Sequence, residues 1–366
     1  MFSATTRLRK WSATGLASLV MLITLVGTAS AQTYPAAANK GLAWMKTQQQ
    51  PDGSFVGFGT GSTMDAVLAI VAAGQDPATY VQGGNTPISF LESKTADIVK
   101  APGGAGKLLH VVETLGMDGK SFGGINLVDT INSTYNADTG QYGPDVIGHA
   151  FSILGLTAAG QSVPDKAIAF LDSMQTQDNG WSFSGEKGSG AADTNTTSVV
   201  MQVYVALGVN DQSHQHMLRA AWLYLMSQQN PDGGFPYQQG SEFGSESDVN
   251  STSYVIQALL SVGGTEDALK PMQYLLSLQK PNGAFQWKQT EPDDNAGATY
   301  QAVPALLGAT LAAPTGAKSP LNPAPNIQPG MPRTGSSDAS PIIALVMLPV
   351  LAVGAGIVIR RKVAAR

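Results

Sequence analysis

The chain has no cysteine among its 366 residues. That excludes disulfide staples, thiolate metal ligands and a cysteine nucleophile, so any domain built from it stands on its core without covalent cross-links. Histidine is scarce, with four residues, and only 13% of the chain is charged. No glycine-rich phosphate loop, no Gly-x-Ser-x-Gly elbow and no His-Glu-x-x-His is present. The usual signatures of nucleotide binding, serine hydrolysis and zinc peptidases are therefore missing. Positive charge is short in the body of the chain. Of 21 basic residues, three precede Ala31 and five lie from Arg333 onward; of 26 acidic residues, only Asp338 lies in those ends. The remainder carries 13 basic against 25 acidic residues, which argues against nucleic acid and anionic lipid as partners.

What the chain does have is an internal repeat, and repeats decide a fold. A turn, "QTQDNGWSF" (Gln175–Phe183), precedes a polar start and an apolar run, "DTNTTSVVMQVYVALG" (Asp193–Gly208). The same order recurs over Gln228–Gly263 and Leu278–Gly308, and more faintly over Gln49–Gly74. The hydrophobic pattern predicts six helical hairpins: Pro35–Gln48 with Met64–Ala73, Ile88–Val99 with Lys107–Leu115, Ile125–Tyr135 with Val146–Thr157, Asp165–Met174 with Thr196–Leu207, Met217–Gln228 with Ser251–Val262, and Ala268–Leu278 with Gly297–Leu311. First helices are amphipathic: Leu218, Trp222, Leu225 and Met226 fall on one stripe. Second helices, such as Tyr254–Val262, are apolar nearly all round and must be covered on every side. The expected fold is an all-α (α/α)6 toroid over residues 32–313, with the second helices as an inner ring and the first helices outside.

The ends read differently. Residues 1–31 have Arg7, Arg9 and Lys10, an apolar run and Ala29-Ser30-Ala31, the layout of a secretory signal peptide cleaved before Gln32. Residues 314–332 are proline-rich and predict an extended stalk. Residues 341–359 are apolar and long enough for a transmembrane helix, with Arg360, Arg361 and Lys362 on the cytoplasmic side. Together with "MPRTG" (Met331–Gly335), the segment 331–366 resembles a cell-wall sorting signal of the LPxTG type, with Met331 in place of leucine. The resemblance implies cleavage between Thr334 and Gly335 by a sortase. On this reading the protein is exported and anchored at the cell surface, its membrane contact confined to the C-terminal helix.

The turns "QTQDNGWSF", "QQNPDGGFPY" and "LQKPNGAFQW" resemble the glutamine–aromatic repeats of the terpenoid cyclase and protein prenyltransferase superfamily, over about Pro35 to Ala313. That resemblance implies the α/α toroid, a fold it shares with vitamin B12 carriers and exported bacterial surface proteins. The cyclases use the central aspartate of Asp-x-Asp-Asp-Thr as the acid. Here Asp193-Thr194-Asn195-Thr196-Thr197 stands at that place, with Asn195 where the acid belongs and Thr196 beside it. An amide cannot protonate an alkene. The prenyltransferases hold zinc through Asp, Cys and His, a set this chain cannot supply.

The candidate ligand-binding residues are Asp193, Asn195, Asp248, Asn250, Asp294 and Trp181. The carboxylates and amides fall at or near inner-helix starts, where capping a helix N-terminus is one role. A ring around a cavity mouth, open to a polar ligand, a glycan or Ca²⁺, is the other. Aromatics after the turns either stack outer on inner helices or form a ligand platform. His110 and His149 lie in apolar inner helices and read as core histidines, and His214 with His216 lacks a third metal ligand. No cofactor is expected. The function expected is a surface-anchored, non-catalytic toroid binding a ligand or partner. The alternatives are a cyclase-type enzyme using Asp193 or Asp248 as acid, or a glycan- or corrinoid-binding module.

Overall fold

The computed structural model describes residues 33–315, apart from 102 and 243. The signal segment, most of the stalk, the Met331–Gly335 peptide and the 341–359 span lie outside the described residues. Among the described residues there are twelve α-helices, no strand longer than an isolated bridge, and no helix long and apolar enough to cross a membrane.

Six helices are buried nearly all round: α2 (Gly59–Ala72), α4 (Gly104–Thr114), α6 (Val146–Ala158), α8 (Thr194–Leu207), α10 (Val249–Ser261) and α12 (Ala296–Leu307). In α10 every residue from Val249 to Leu259 is buried. The other six bury a stripe: α1 (Pro35–Lys46), α3 (Pro87–Ile98), α5 (Leu127–Ser133), α7 (Asp165–Ser173), α9 (Gln212–Ser227) and α11 (Thr265–Ser277). In α9 that stripe is Leu218, Ala221, Tyr224 and Leu225.

The buried helices touch one another in the order α2, α4, α6, α8, α10, α12 and back to α2. The inner ring is therefore closed, as the all-round apolar pattern requires. The sequence pairs each outer helix with the inner helix that follows it. In the structure the larger contact is with the inner helix that precedes it: α3 on α2, α9 on α8, α11 on α10 and, across the ends of the domain, α1 on α12. The first helix thus completes the cover of the last. The Tyr34 N–H donates to Leu306 O at 2.8 Å, and Gln279 Nε2 to Ala37 O at 2.8 Å.

One expected boundary is corrected. The hydrophobic pattern carries the last helix to Leu311, but it ends at Leu307. Gly308 takes a left-handed conformation, φ 73°, that stops the helix. Residues 309–313 then turn on themselves, with Thr310 and Ala313 exchanging backbone hydrogen bonds. They fold into the lower end of the inner ring, where the Leu311 N–H donates to Gln202 Oε1 on α8 at 2.7 Å. Ala309, Thr310 and Leu311 are buried there.

Candidate functional site

The repeat turns build one rim of the toroid. In each, a residue with positive φ sits two places before the aromatic: Gly53, Gly233, Gly283 and, in the fourth hairpin, Asn179 at φ 68°. The glutamine of the repeat folds over this turn. Gln175, Gln229 and Gln279 donate from Nε2 to the carbonyls of Asn179, Gly233 and Gly283. The aromatic itself, Phe55, Trp181, Phe235 or Phe285, is buried. Its N–H donates to a threonine one turn into the inner helix, Thr63, Thr197, Thr252 or Thr299, at 2.9–3.1 Å. In the third hairpin Tyr142 and His149 fill the same two slots, Tyr142 N donating to His149 Nδ1 at 2.9 Å. His149 Nε2 then carries the proton, donated to Ala167 O at 3.0 Å. Burial lowers the pKa of His149 to about 4. These aromatics pin turns to helices and present no face to solvent.

The expected site residues divide. Asp193 and Asp248 are buried N-caps of α8 and α10, accepting from Thr196 N at 2.7 Å and Ser251 N at 2.8 Å. Burial raises both to about 6, against the pull of those hydrogen bonds. Asp193 also accepts from Phe183 N at 2.9 Å. Trp181 is buried, its indole donating to Leu171 O at 2.8 Å. Asn195 is half-buried and accepts from Thr194 Oγ1 at 3.3 Å. None of these four lines either of the two cavities described below. Asp294 sits one residue outside the helix it was expected to cap. Asn295 is the cap of α12, and Asp294 bonds Lys280 at 2.5 Å and Asn282 at 2.7 Å. The hydrogen bond from Lys280 holds the Asp294 carboxyl below its ordinary range.

Asp294 and Asn250 do share one feature: both line a cavity of about 550 Å³. It opens at the rim where the ring closes, between α12, α2, α4 and the outer helices α1 and α3. The reason is local. At α6, α8 and α10 the first N–H is held by the carbonyl two residues past the next aromatic: Val146 by Phe183, Thr194 by Tyr237, Val249 by Trp287; α2 and α4 have no such bond among the described residues. At α12 the corresponding residue is Gly57, and no such bond forms among the described residues. The chain Val56–Gly61 swings out as a lip instead. Gly57, at φ 147°, leaves no room for a Cβ, which would lie 2.3 Å from Ser62 Oγ. Phe58 stands on this lip, 56% exposed.

The floor of the cavity is a belt of polar side chains from four consecutive inner helices. Asn250 Nδ2 (α10) donates to Gln301 Oε1 (α12) at 2.8 Å, and Gln301 Nε2 donates to Asp65 Oδ2 (α2) at 3.1 Å. Lys107 Nζ (α4) pairs with Asp65 Oδ1 at 2.5 Å. The Lys107 side chain is 4% exposed and Asp65 12%. Burial works against the ammonium, but the Asp65 carboxylate outweighs it and the Lys107 pKa stands above its ordinary value. Beyond the belt lies a space of about 30 Å³, bordered by Asp65, Gln301, Tyr254 and the 309–314 segment, room for a water and little more. The inner ring is thus open at one end and filled at the other.

Asp65, Lys107 and Gln301 were not singled out from the sequence. The signal was there: an acid in "TMDAVLAIV" and a base in "GAGKLLHVV", each inside a helix that must be buried all round. A charge so placed has to find a partner.

With this geometry in place, the chain can be set beside known proteins. The squalene-hopene cyclase C-terminal domain family matches residues 126–296. The prenyltransferase alpha-alpha toroid domain family matches residues 3–75. The toroid is terpenoid-cyclase-like. Among solved structures, the type II terpene cyclase MstE from Scytonema is similar with a TM-score of 0.54 at 12% identity, over 74% of this chain and 96% of that one. A protein from Actinoplanes is similar with a TM-score of 0.54 at 14% identity, over 75% and 98%. A variant of a glycosidase gives 0.53 at 16%, over 75% and 95%. No curated protein matches the chain in sequence. Likeness at such identity carries the fold and leaves the chemistry to the site.

Proposed function

We propose that this chain is an exported, surface-tethered toroid that binds a ligand in the rim cavity and does not cyclise prenyl substrates. The observation that carries the reading is the belt itself. A cavity of this size, with an apolar wall and a few convergent polar groups, has the make-up of a binding site. Its deepest group is a neutral ion pair, whereas alkene protonation calls for a carboxylic acid aimed into an apolar chamber. The two carboxyls pushed to about 6, Asp193 and Asp248, are turned into the turn packing, and Asn195 replaces the acid of the cyclase pattern.

Incubation of the purified protein with squalene and with geranylgeranyl diphosphate tests this. Unchanged substrate is expected; a cyclised product would overturn the proposal. Export and tethering rest on the end segments. Cell fractionation with mass analysis of the termini should find a mature chain beginning at Gln32 and ending at Thr334, joined to the envelope by a sortase. A chain retaining Gly335 and the 341–359 segment would make the tether a membrane span instead.

A further inference from the structure

The rim cavity restricts the charge of what it takes. Lys107 and Asp65 cancel, and Asp294 is cancelled by Lys280. An anion could reach Lys107 only by competing with Asp65, and would approach a body with 25 acidic and 13 basic residues. A cation would meet the Lys107 ammonium at the floor. An uncharged ligand suffers neither cost.

The same wall is rich in unused hydrogen-bonding capacity of both signs. Lys107 has three N–H donors; among the described residues its charged partner is Asp65, and its ammonium also lies 5.8 Å from the centre of the Phe151 ring. Asn250 gives its Nδ2 to Gln301, and its carbonyl oxygen accepts no hydrogen bond among the described residues. The hydroxyls of Thr60 and Ser62, both at the cavity wall, make no hydrogen bond among the described residues. Above them Phe58 offers an exposed ring on its glycine-flanked lip. Donors and acceptors below, with an aromatic ring on the lip, fit a ring molecule with hydroxyls along its edge and C–H groups on its face.

We propose that the cavity binds an uncharged saccharide, its hydroxyls on Lys107, Asn250, Thr60 and Ser62 and one ring face against Phe58. This rests on the binding reading above.

Isothermal titration of the full-length protein tests it. The probes are short malto-, cello- and N-acetylated chito-oligosaccharides, the matching uronic-acid and free-amine sugars, and geranylgeraniol. At least one neutral oligosaccharide is expected to bind, with its uronic-acid and amino counterparts at least tenfold weaker. Phe58→Ala, at an exposed position where the fold should survive, is expected to weaken binding about tenfold or more. Asn250→Asp, which places a charge on the belt, should do the same. Preference for a charged sugar, or geranylgeraniol bound in a Phe58-dependent way with no saccharide bound, would overturn the ligand class while leaving the binding site standing. No Phe58-dependent binding of any probe would overturn both.

Discussion

Lys107 and Asp65 form the sharpest energetic feature at the level of single residues. Removing one member of a buried ion pair strands the other. Lys107→Met is expected to cost roughly 3–5 kcal/mol, and Lys107→Met with Asp65→Leu to recover most of it. Urea unfolding of both variants checks this; a double variant no better than the single would count against the pairing. The buried titratable groups set a second expectation. Asp193 and Asp248 are raised from 3.8 to about 6, so each stabilises the fold below 3.8 and loses that contribution as pH rises to about 6. His110 and His149 are lowered from 6.5 to about 4, so theirs is complete above 6.5 and lost as pH falls to about 4. Between those limits the two pairs oppose, and the acid limb of the stability curve is flattened. His149→Thr installs the residue found at this position in four other hairpins. The loss of stability from pH 6.5 to 4 should shrink by up to roughly 3 kcal/mol, read as the change in urea midpoint at the two pH values. An unchanged difference would sink the assignment. Among the described residues neither ring nitrogen of His110 has a hydrogen-bond partner, which agrees with a neutral ring.

At the level of elements, the repeat turn decides how hairpins meet. Each turn glycine lies against the backbone at or near the start of a neighbouring hairpin. A Cβ at Gly283, φ 96°, would stand 2.2 Å from Lys40 O in α1; at Gly59, φ 57°, it would meet nothing within 4 Å. Gly283→Ala is therefore expected to cost well over the about 1–3 kcal/mol of left-handed strain alone, and Gly59→Ala only that strain. Thermal unfolding of the two variants should separate them; equal losses would mean the turn does not clamp α1. The helices were legible in the sequence because inner and outer members differ in pattern, amphipathic against apolar all round. The belt was not. Gln301 and Asp65 lie 236 residues apart in the chain, and only ring closure makes α12 and α2 neighbours. The helix overrun at Leu311 has another cause: Ala309, Leu311 and Ala312 continue an apolar pattern, and the left-handed stop at Gly308 is invisible to periodicity.

For the whole molecule, the two ends of the inner ring have different duties. The rim carries the lip and the belt, and the opposite end is packed with residues 309–313. A chain ending at Gly308 would leave Gln202 Oε1 without the Leu311 N–H. The expected loss is about 1–3 kcal/mol for the orphaned acceptor, a fall in Tm of a few degrees for a domain of this length. Dye binding to newly exposed apolar surface should rise, while binding at the rim stays intact. Loss of rim binding in that variant would mean the two ends are coupled through the belt.

Since α1 seats on α12 and Gly308 lies beside Thr33, the annulus has no structural beginning. Where the backbone is interrupted is arbitrary as far as packing is concerned. A circular permutant opened at the exposed Asn210, its old ends joined by a short flexible bridge, should keep the same twelve helices and the same pocket.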